Sequence, residues 1–253
     1  MSDHSHRLYL ERDTVIHRLA PQCKVMAVLL FVVSVVSTPR GTAWPYAVYA
    51  TALVAVAAIA LVPAPVIVRR MVVEIPFVVF ALLLPIVSLG PRVDVLWFSL
   101  SESGLQAAFV LLAKGTLGVV ASILLAATTQ PRDLLLGLQR LRMPQLLVQI
   151  MTFMFRYIEV VFAEMDRMRI ARESRGFRAR SGGGLRVLAH SAGALFIRCY
   201  ERGERVHLAM LSRGYTGRLP VLADVGGGAR QWAVAASLPA VAVVTTTCAW
   251  LLA

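Results

Sequence analysis

The chain has 253 residues, 58% of them hydrophobic, with a mean hydropathy of +0.70 and a formal net charge of +12. An ordinary soluble domain is about 45–50% apolar, so the composition argues for a membrane protein. The three cysteines, Cys23, Cys199 and Cys248, are too far apart to form a metal site and odd in number, which excludes a disulfide framework and a zinc module.

The N-terminal tail, residues 1–23, is polar and holds His4, His6 and His17. The first apolar run begins after these polar residues and lacks a small-residue cleavage site, so no cleavable signal is expected. Two imidazoles in a flexible "DHSH" tail make a weak metal site, and we assign no metal and no cofactor to the chain. Residues 24–128 predict four transmembrane helices. "VMAVLLFVVSVVSTP" follows Lys24, and Pro39 and Gly41 mark a loop. The run Tyr46–Val62 follows, then Pro63, Pro65, Arg69 and Arg70 break the chain. Met71–Leu89 carries Pro76 and Pro85, which a transmembrane helix tolerates when neighbours satisfy the freed carbonyls. A polar connector, "GPRVDVLWFSLSESG", leads to Leu105–Thr128. Each run is near the roughly 20 residues that span hydrocarbon.

Residues 129–231 differ in character and hold 17 of the 26 Lys and Arg residues. Three helices are predicted here. The first has Pro131 near its start and stops at Pro144. The second, from Pro144 to the Gly176 region, is apolar to about Phe162 and charged after. A "SGGG" hinge at 181–184 precedes the third, which repeats the layout. Residues 232–253 form a final span with Trp232 and Trp250 at its two ends, as an interfacial aromatic belt requires. The tail, the Arg69-Arg70 turn and the long basic segment carry most of the cations, while the remaining connectors hold only Arg40 and Arg92. The positive-inside rule therefore predicts five spans, the N-terminus inside and the C-terminus outside.

The basic segment contains a doubled motif. "ARESRGFRAR" at Ala171 and "AMLSRGYTGR" at Ala209 share Ser174/Ser212, Arg175/Arg213 and Gly176/Gly214 in register, with an aromatic following in each, Phe177 and Tyr215. Arg in a last turn followed by Gly is an ordinary helix C-terminus. A cap, however, needs only Gly, whereas both copies keep Ser, Arg and a ring. The alternative is a pair of docking tips, in which Arg offers a rigid fork to carboxylates and the ring fills a pocket. Asp166-Arg167 and Glu204-Arg205 hold the same place in each copy and suggest a matched polar surface near the tips.

The opening "VIHRLAPQCKVMAVLLFVV", the basic insert before the last span, and the paired "ESRGF" and "LSRGY" resemble the T component of energy-coupling factor importers, the CbiQ/EcfT family, over nearly the whole chain. The family motif is often Ala-Arg-Gly; Ser stands first in both copies here. The resemblance implies an all-α polytopic protein of a bacterial cytoplasmic membrane, with coupling helices between the fourth and fifth spans. It implies that the two motifs dock an ABC-type ATPase dimer (CbiO/EcfA-like), where ATP is hydrolysed, and that the chain transmits movement to a substrate-binding S component. The wording looks closest to the cobalt branch, CbiQ, with a CbiM/CbiN-like S component carrying the metal site. A shared T component of a vitamin importer, for biotin or riboflavin, is the alternative.

An intramembrane enzyme would need a polar constellation at membrane depth. The spans offer Glu74, expected near the cytoplasmic end of its span, and Lys114, about nine residues from the outer end of its own. These are not expected to meet, so no base–nucleophile pair is foreseen. Intramembrane charge is costly and by default functional. Lys114 has two readings: it snorkels or pairs with a backbone carbonyl, or it faces the S component. Nucleic-acid binding fits poorly, because the basic segment interleaves Arg with Glu and Asp on half-apolar helices.

Overall fold

The computed structural model describes residues 9–10, 12–39, 41–88, 92–95, 98–176, 184–217 and 226–252; His4, His6 and residues 181–183 of the expected hinge lie outside them. In chain order the elements are α1 (Pro21–Ser37), α2 (Trp44–Ile59), α3 (Ala64–Arg70), a 3-10 turn (Met71–Glu74), α4 (Ile75–Val87), β1 (Arg92–Val95), β2 (Phe98–Ser101), α5 (Glu102–Thr128), α6 (Pro131–Arg140), α7 (Gln145–Ser174), α8 (Gly184–Leu211) and α9 (Ala229–Leu251). Pro21, Pro45, Pro65, Pro76 and Pro131 each fall in the first turn of their helix. The missing N–H is no loss there, and the fixed φ suits a helix start. The chain divides into two units, residues 3–141 with 225–253, and residues 142–224.

In the first unit α1 packs against α9, α6 and α5, and α2 packs on α5 and α9. The core is aromatic at one level and small-residue elsewhere. Phe31 and Tyr49 are fully buried and meet edge to face at 6.0 Å. Ala121, Ala127 and Ala242 close the rest of the same cluster. Lipid is as apolar as a leucine core, so packing and interhelical hydrogen bonds, rather than apolar burial, hold such a bundle together. The Tyr49 hydroxyl supplies one such junction, with Thr38 Oγ1 at 3.0 Å and Thr246 Oγ1 at 2.8 Å. It ties α2 to the end of α1 and to α9.

Two lysines supply another. Lys24 on α1 is buried and donates to the Thr128 carbonyl at the end of α5 at 2.8 Å, and to the His17 carbonyl at 3.1 Å. Lys114 on α5 donates to the carbonyls of Val36 and Thr38 at the end of α1, at 2.7 and 2.8 Å. The last carbonyls of a helix have no partner within it and carry its negative partial charge. These two antiparallel helices each lend a cation to the other's C-terminus. Trp250 Nε1 adds a bond to the Ser37 carbonyl at 3.0 Å.

Two expectations change here. The chain does not enter a straight span at Met71. It passes through α3 and the 3-10 turn, and α4 has only 13 residues, about 20 Å of helix. Glu74, buried at 4% exposure, consequently reaches the middle of α5, where Thr116 Oγ1 donates to its Oε1 at 2.5 Å. The sequence reading kept Glu74 and Lys114 apart; the structure sets Glu74 against the turn of α5 that contains Lys114. The expected polar connector also forms an antiparallel hairpin, with Val93 opposite Leu100 and Val95 opposite Phe98. The alternation in "RVDV" and "FSLS" signals it, since period two is the strand pattern.

Large apolar side chains face outward, among them Leu29 and Val33 on α1, Phe77 and Phe80 on α4, and Val243 and Val244 on α9. Among the described residues three helices are long and apolar enough to cross a membrane, Ser103–Thr128, Gln145–Ser174 and Ala229–Leu251, and Pro21–Ser37 and Trp44–Ile59 are shorter apolar helices. The chain is an all-α, multi-pass membrane protein.

The second unit is α7 and α8. Arg172 Nη1 donates to Ser191 Oγ at 2.8 Å, Arg198 pairs with Glu164, and the Tyr215 hydroxyl donates to Gln149 Oε1 at 2.7 Å. Residues that sum to nearly the same number touch along the whole length, which is the signature of an antiparallel pair. The antiparallel pairing sets the apolar half of each helix beside the other helix's charged half.

Candidate functional site

The two Ser-Arg-Gly motifs fold alike. Gly176 has φ +78° and Gly214 has φ +81°. A Cβ at either glycine would meet nothing within 4 Å. Glycine is therefore required by conformation, since positive φ strains an L residue, and not by crowding. The Gly214 N–H donates to the Leu211 carbonyl and the Tyr215 N–H to the Met210 carbonyl, both at 3.0 Å. These two bonds constitute a Schellman cap. The Gly176 N–H makes the corresponding bond to the Glu173 carbonyl at 3.0 Å; Phe177, which would complete that cap, lies outside the described residues.

Ser has a capping role as well. Ser174 Oγ donates to the Ala171 carbonyl at 3.1 Å, and Ser212 Oγ to the Ala209 carbonyl at 3.0 Å. Tyr215 is half-buried, and its hydroxyl is bound to Gln149, whose Nε2 also donates to the Gly217 carbonyl at 2.7 Å. Its ring is thus held within the pair rather than projecting freely. The arginines are what the caps leave over. Arg175 and Arg213 are exposed, and among the described residues neither guanidinium has a hydrogen-bond or ion-pair partner. Each sits on a short, rigid turn with its charge in solvent.

The motifs stand at opposite ends of the pair. By the register of the cross-helix contacts, Arg213 lies level with about residue 150, so the tips are separated by roughly 25 residues of α7, about 38 Å at 1.5 Å per residue. The polar dipeptides lie between the tips, not beside them. Arg167 folds back on Glu164 at 2.5 Å, and Asp166 faces Arg169 at 3.8 Å. Glu164 also binds Arg198, and these two arginines hold its carboxyl below its usual pKa. Glu204 and Arg205 are exposed on α8. Arg167 and Arg205 meet at one cleft between the helices. Lys114 belongs to the other unit, where it serves the end of α1. Among the described residues no cluster of three or more His, Cys, Asp or Glu is placed to hold a metal ion.

Sequence reasoning missed Gln149. A lone glutamine inside "LLVQIMTF" was the available signal, because an amide in an apolar run needs a partner. It also missed the Glu164–Arg198 tie, which no local spacing reveals.

A family model described as "Cobalt transport protein", CbiQ, matches residues 12–222. The energy-coupling factor transporter transmembrane protein EcfT of Bacillus subtilis is 26% identical over 223 residues, 83% of each chain. The cobalt transport protein CbiQ of Rhodobacter capsulatus is 33% identical over 98 residues, 39% of this chain and 40% of that protein. An uncharacterized protein of Methanocaldococcus jannaschii is 32% identical over 124 residues, 49% of this chain and 46% of the relative. The chain thus spans about half the length, or less, of these last two. The family match runs from before α1 to beyond the second Ser-Arg-Gly tip, and the chain belongs to the CbiQ family of cobalt transport proteins.

Proposed function

We propose that the chain is the transmembrane coupling subunit of an energy-coupling factor importer for cobalt. In this reading Arg175 and Arg213 each dock one subunit of a cytoplasmic ABC-type ATPase dimer. The ATPases hydrolyse ATP, a separate S component binds the solute, and this chain carries no cofactor of its own. The N-terminus and the α7–α8 pair lie in the cytoplasm, and the C-terminus lies outside. The observation that carries the reading is the matched pair of capped ends, each presenting an exposed arginine that has no partner among the described residues. A dimeric motor has two equivalent grooves, and two tips about 38 Å apart by helix rise suit two separate grooves better than one. The family description over residues 12–222 supports cobalt as the solute.

The test is co-purification of the ATPase together with cobalt uptake. Each arginine loses a charge-assisted contact on truncation, about 1.5–3 kcal/mol. A single Arg→Ala should weaken capture, and Arg175→Ala with Arg213→Ala should nearly abolish both capture and uptake. Wild-type capture and uptake by the double variant would leave the motifs as helix caps only.

A further inference from the structure

The cleft between α7 and α8 has a volume of about 550 Å³, within the roughly 300–1,000 Å³ of ligand sites. One side is apolar. Phe153 and Tyr157 stack at 6.2 Å, one turn apart, and Val160 and Val161 continue that wall. The other side is cationic. Four arginines line the cleft against a single carboxylate, Glu164, a surplus of three positive charges. Glu164 is already held by Arg167 and Arg198. Arg202 and Arg205 are exposed and have no ion-pair partner among the described residues. Glu201 and Glu204 stand on α8 but do not line the cleft.

The apolar wall belongs to the stretch of α7 that, apart from Arg156 and Glu159, reads as hydrocarbon-like, and charge becomes dense after Phe162. By the register of the cross-helix contacts Arg202 and Arg205 stand level with about residues 161 and 158, across the cleft from the upper part of the apolar wall, while Phe153 and Met210 continue it beyond the arginines. The cleft thus sets guanidinium beside apolar surface, as a phosphate and an acyl chain require. Arginine pairs with phosphate bidentately, and basic pockets between helices at the cytoplasmic boundary select anionic headgroups. We propose that this cleft binds an anionic phospholipid, its phosphate on Arg202 and Arg205 and an acyl chain along Phe153, Tyr157, Val160 and Val161. The inference rests on the chain being a membrane protein and is independent of ATPase docking, since neither tip arginine lines the cleft.

The experiment is native mass spectrometry of the full, delipidated chain titrated with phosphatidylglycerol, with phosphatidylcholine of the same acyl chains, and with glycerol 3-phosphate. Phosphatidylglycerol should bind at least about tenfold more tightly than either of the others. Arg202→Gln with Arg205→Gln should weaken phosphatidylglycerol roughly 30-fold, the effect of removing two cations near a membrane surface, and the double Arg→Lys variant should restore most of it. As a measurement that leaves the arginines intact, the Tyr157→Trp fluorescence, taken as the difference from the parent chain with its four native tryptophans, should be quenched by acyl-brominated phosphatidylglycerol and much less by the brominated choline lipid. Equal binding of the two lipids, binding of glycerol 3-phosphate as tight as that of the lipid, or unweakened binding by the double Gln variant overturns the proposal. So does a double Gln variant that keeps the lipid but loses a membrane-protein partner, which makes the cleft a protein interface. ATPase capture by the same variant reports on docking alone, so the two readings fail separately.

Discussion

Replacing Lys114 with Met removes the ammonium from the end of α1 while keeping a side chain of similar length. Nζ donates at 2.7 Å to Val36 and at 2.8 Å to Thr38, and a hydrogen bond to a charged group contributes about 1.5–3 kcal/mol. The two acceptors do not respond equally. The bond to Val36 is exposed, whereas that to Thr38 is part-buried and Thr38 itself is 3% exposed, so the Thr38 carbonyl loses more. The sum we expect is roughly 2–4 kcal/mol, with a small part from the helix dipole. The assay is unfolding of the purified chain in mixed micelles titrated with SDS, followed by far-ultraviolet circular dichroism. Lys24→Met should cost more than Lys114→Met, because Lys24 is buried at 6% exposure and serves three acceptors, Thr128, His17 and Thr129. The two sites lie at opposite ends of α1, so their effects should add. ATPase capture should survive in the fraction that stays folded, since both tips belong to the other unit. A Lys114→Met chain that unfolds at the parent's SDS concentration yet loses uptake would refute the reasoning and place Lys114 against a partner.

Other outcomes follow from the tips and the helix pair. Gly214→Ala meets no neighbour, so its cost is conformational, about 1–2 kcal/mol; amide exchange in residues 212–215 should quicken about 5- to 30-fold, and Gly176→Ala should act alike at its own end. Tyr215→Phe removes the bond to Gln149, about 1 kcal/mol, and should raise exchange in residues 211–217 without altering ATPase capture. Ile150 is 47% exposed in the chain alone; a cysteine there should label slowly in native membranes while one at His207 labels fast, and the reverse pattern counts against lipid or protein cover on the apolar half of α7. Reporter fusions after Ala253 should be active outside the cell and fusions within residues 181–184 inside it; cytoplasmic activity of the C-terminal fusion would rule out five spans with this orientation.

Much was legible in the sequence because it is local. Hydropathy identified the membrane class, since a span is a contiguous property of about 20 residues. Pro131, read as a helix start, opens α6, where a residue without an N–H fits. The doubled Ser-Arg-Gly announced two like helix ends, and both fold as caps on positive-φ glycines. The family resemblance was carried by the same short words.

The tertiary structure decided what depends on partners distant in the chain. Lys114 and Val36 are 78 residues apart, and Tyr215 and Gln149 are 66 apart. No periodicity encodes such a pairing, which is fixed by how helices of given length and tilt come to lie side by side. For that reason the sequence could pose two readings of Lys114 while only the packed α1 and α5 gave its ammonium two carbonyls. The same holds for Glu74: the break at α3 and the 3-10 turn, a matter of backbone path, brought it to Thr116. The antiparallel register of α7 and α8 set the two arginines at opposite ends. Local sequence makes each tip, and the chain's path determines how far apart the tips stand.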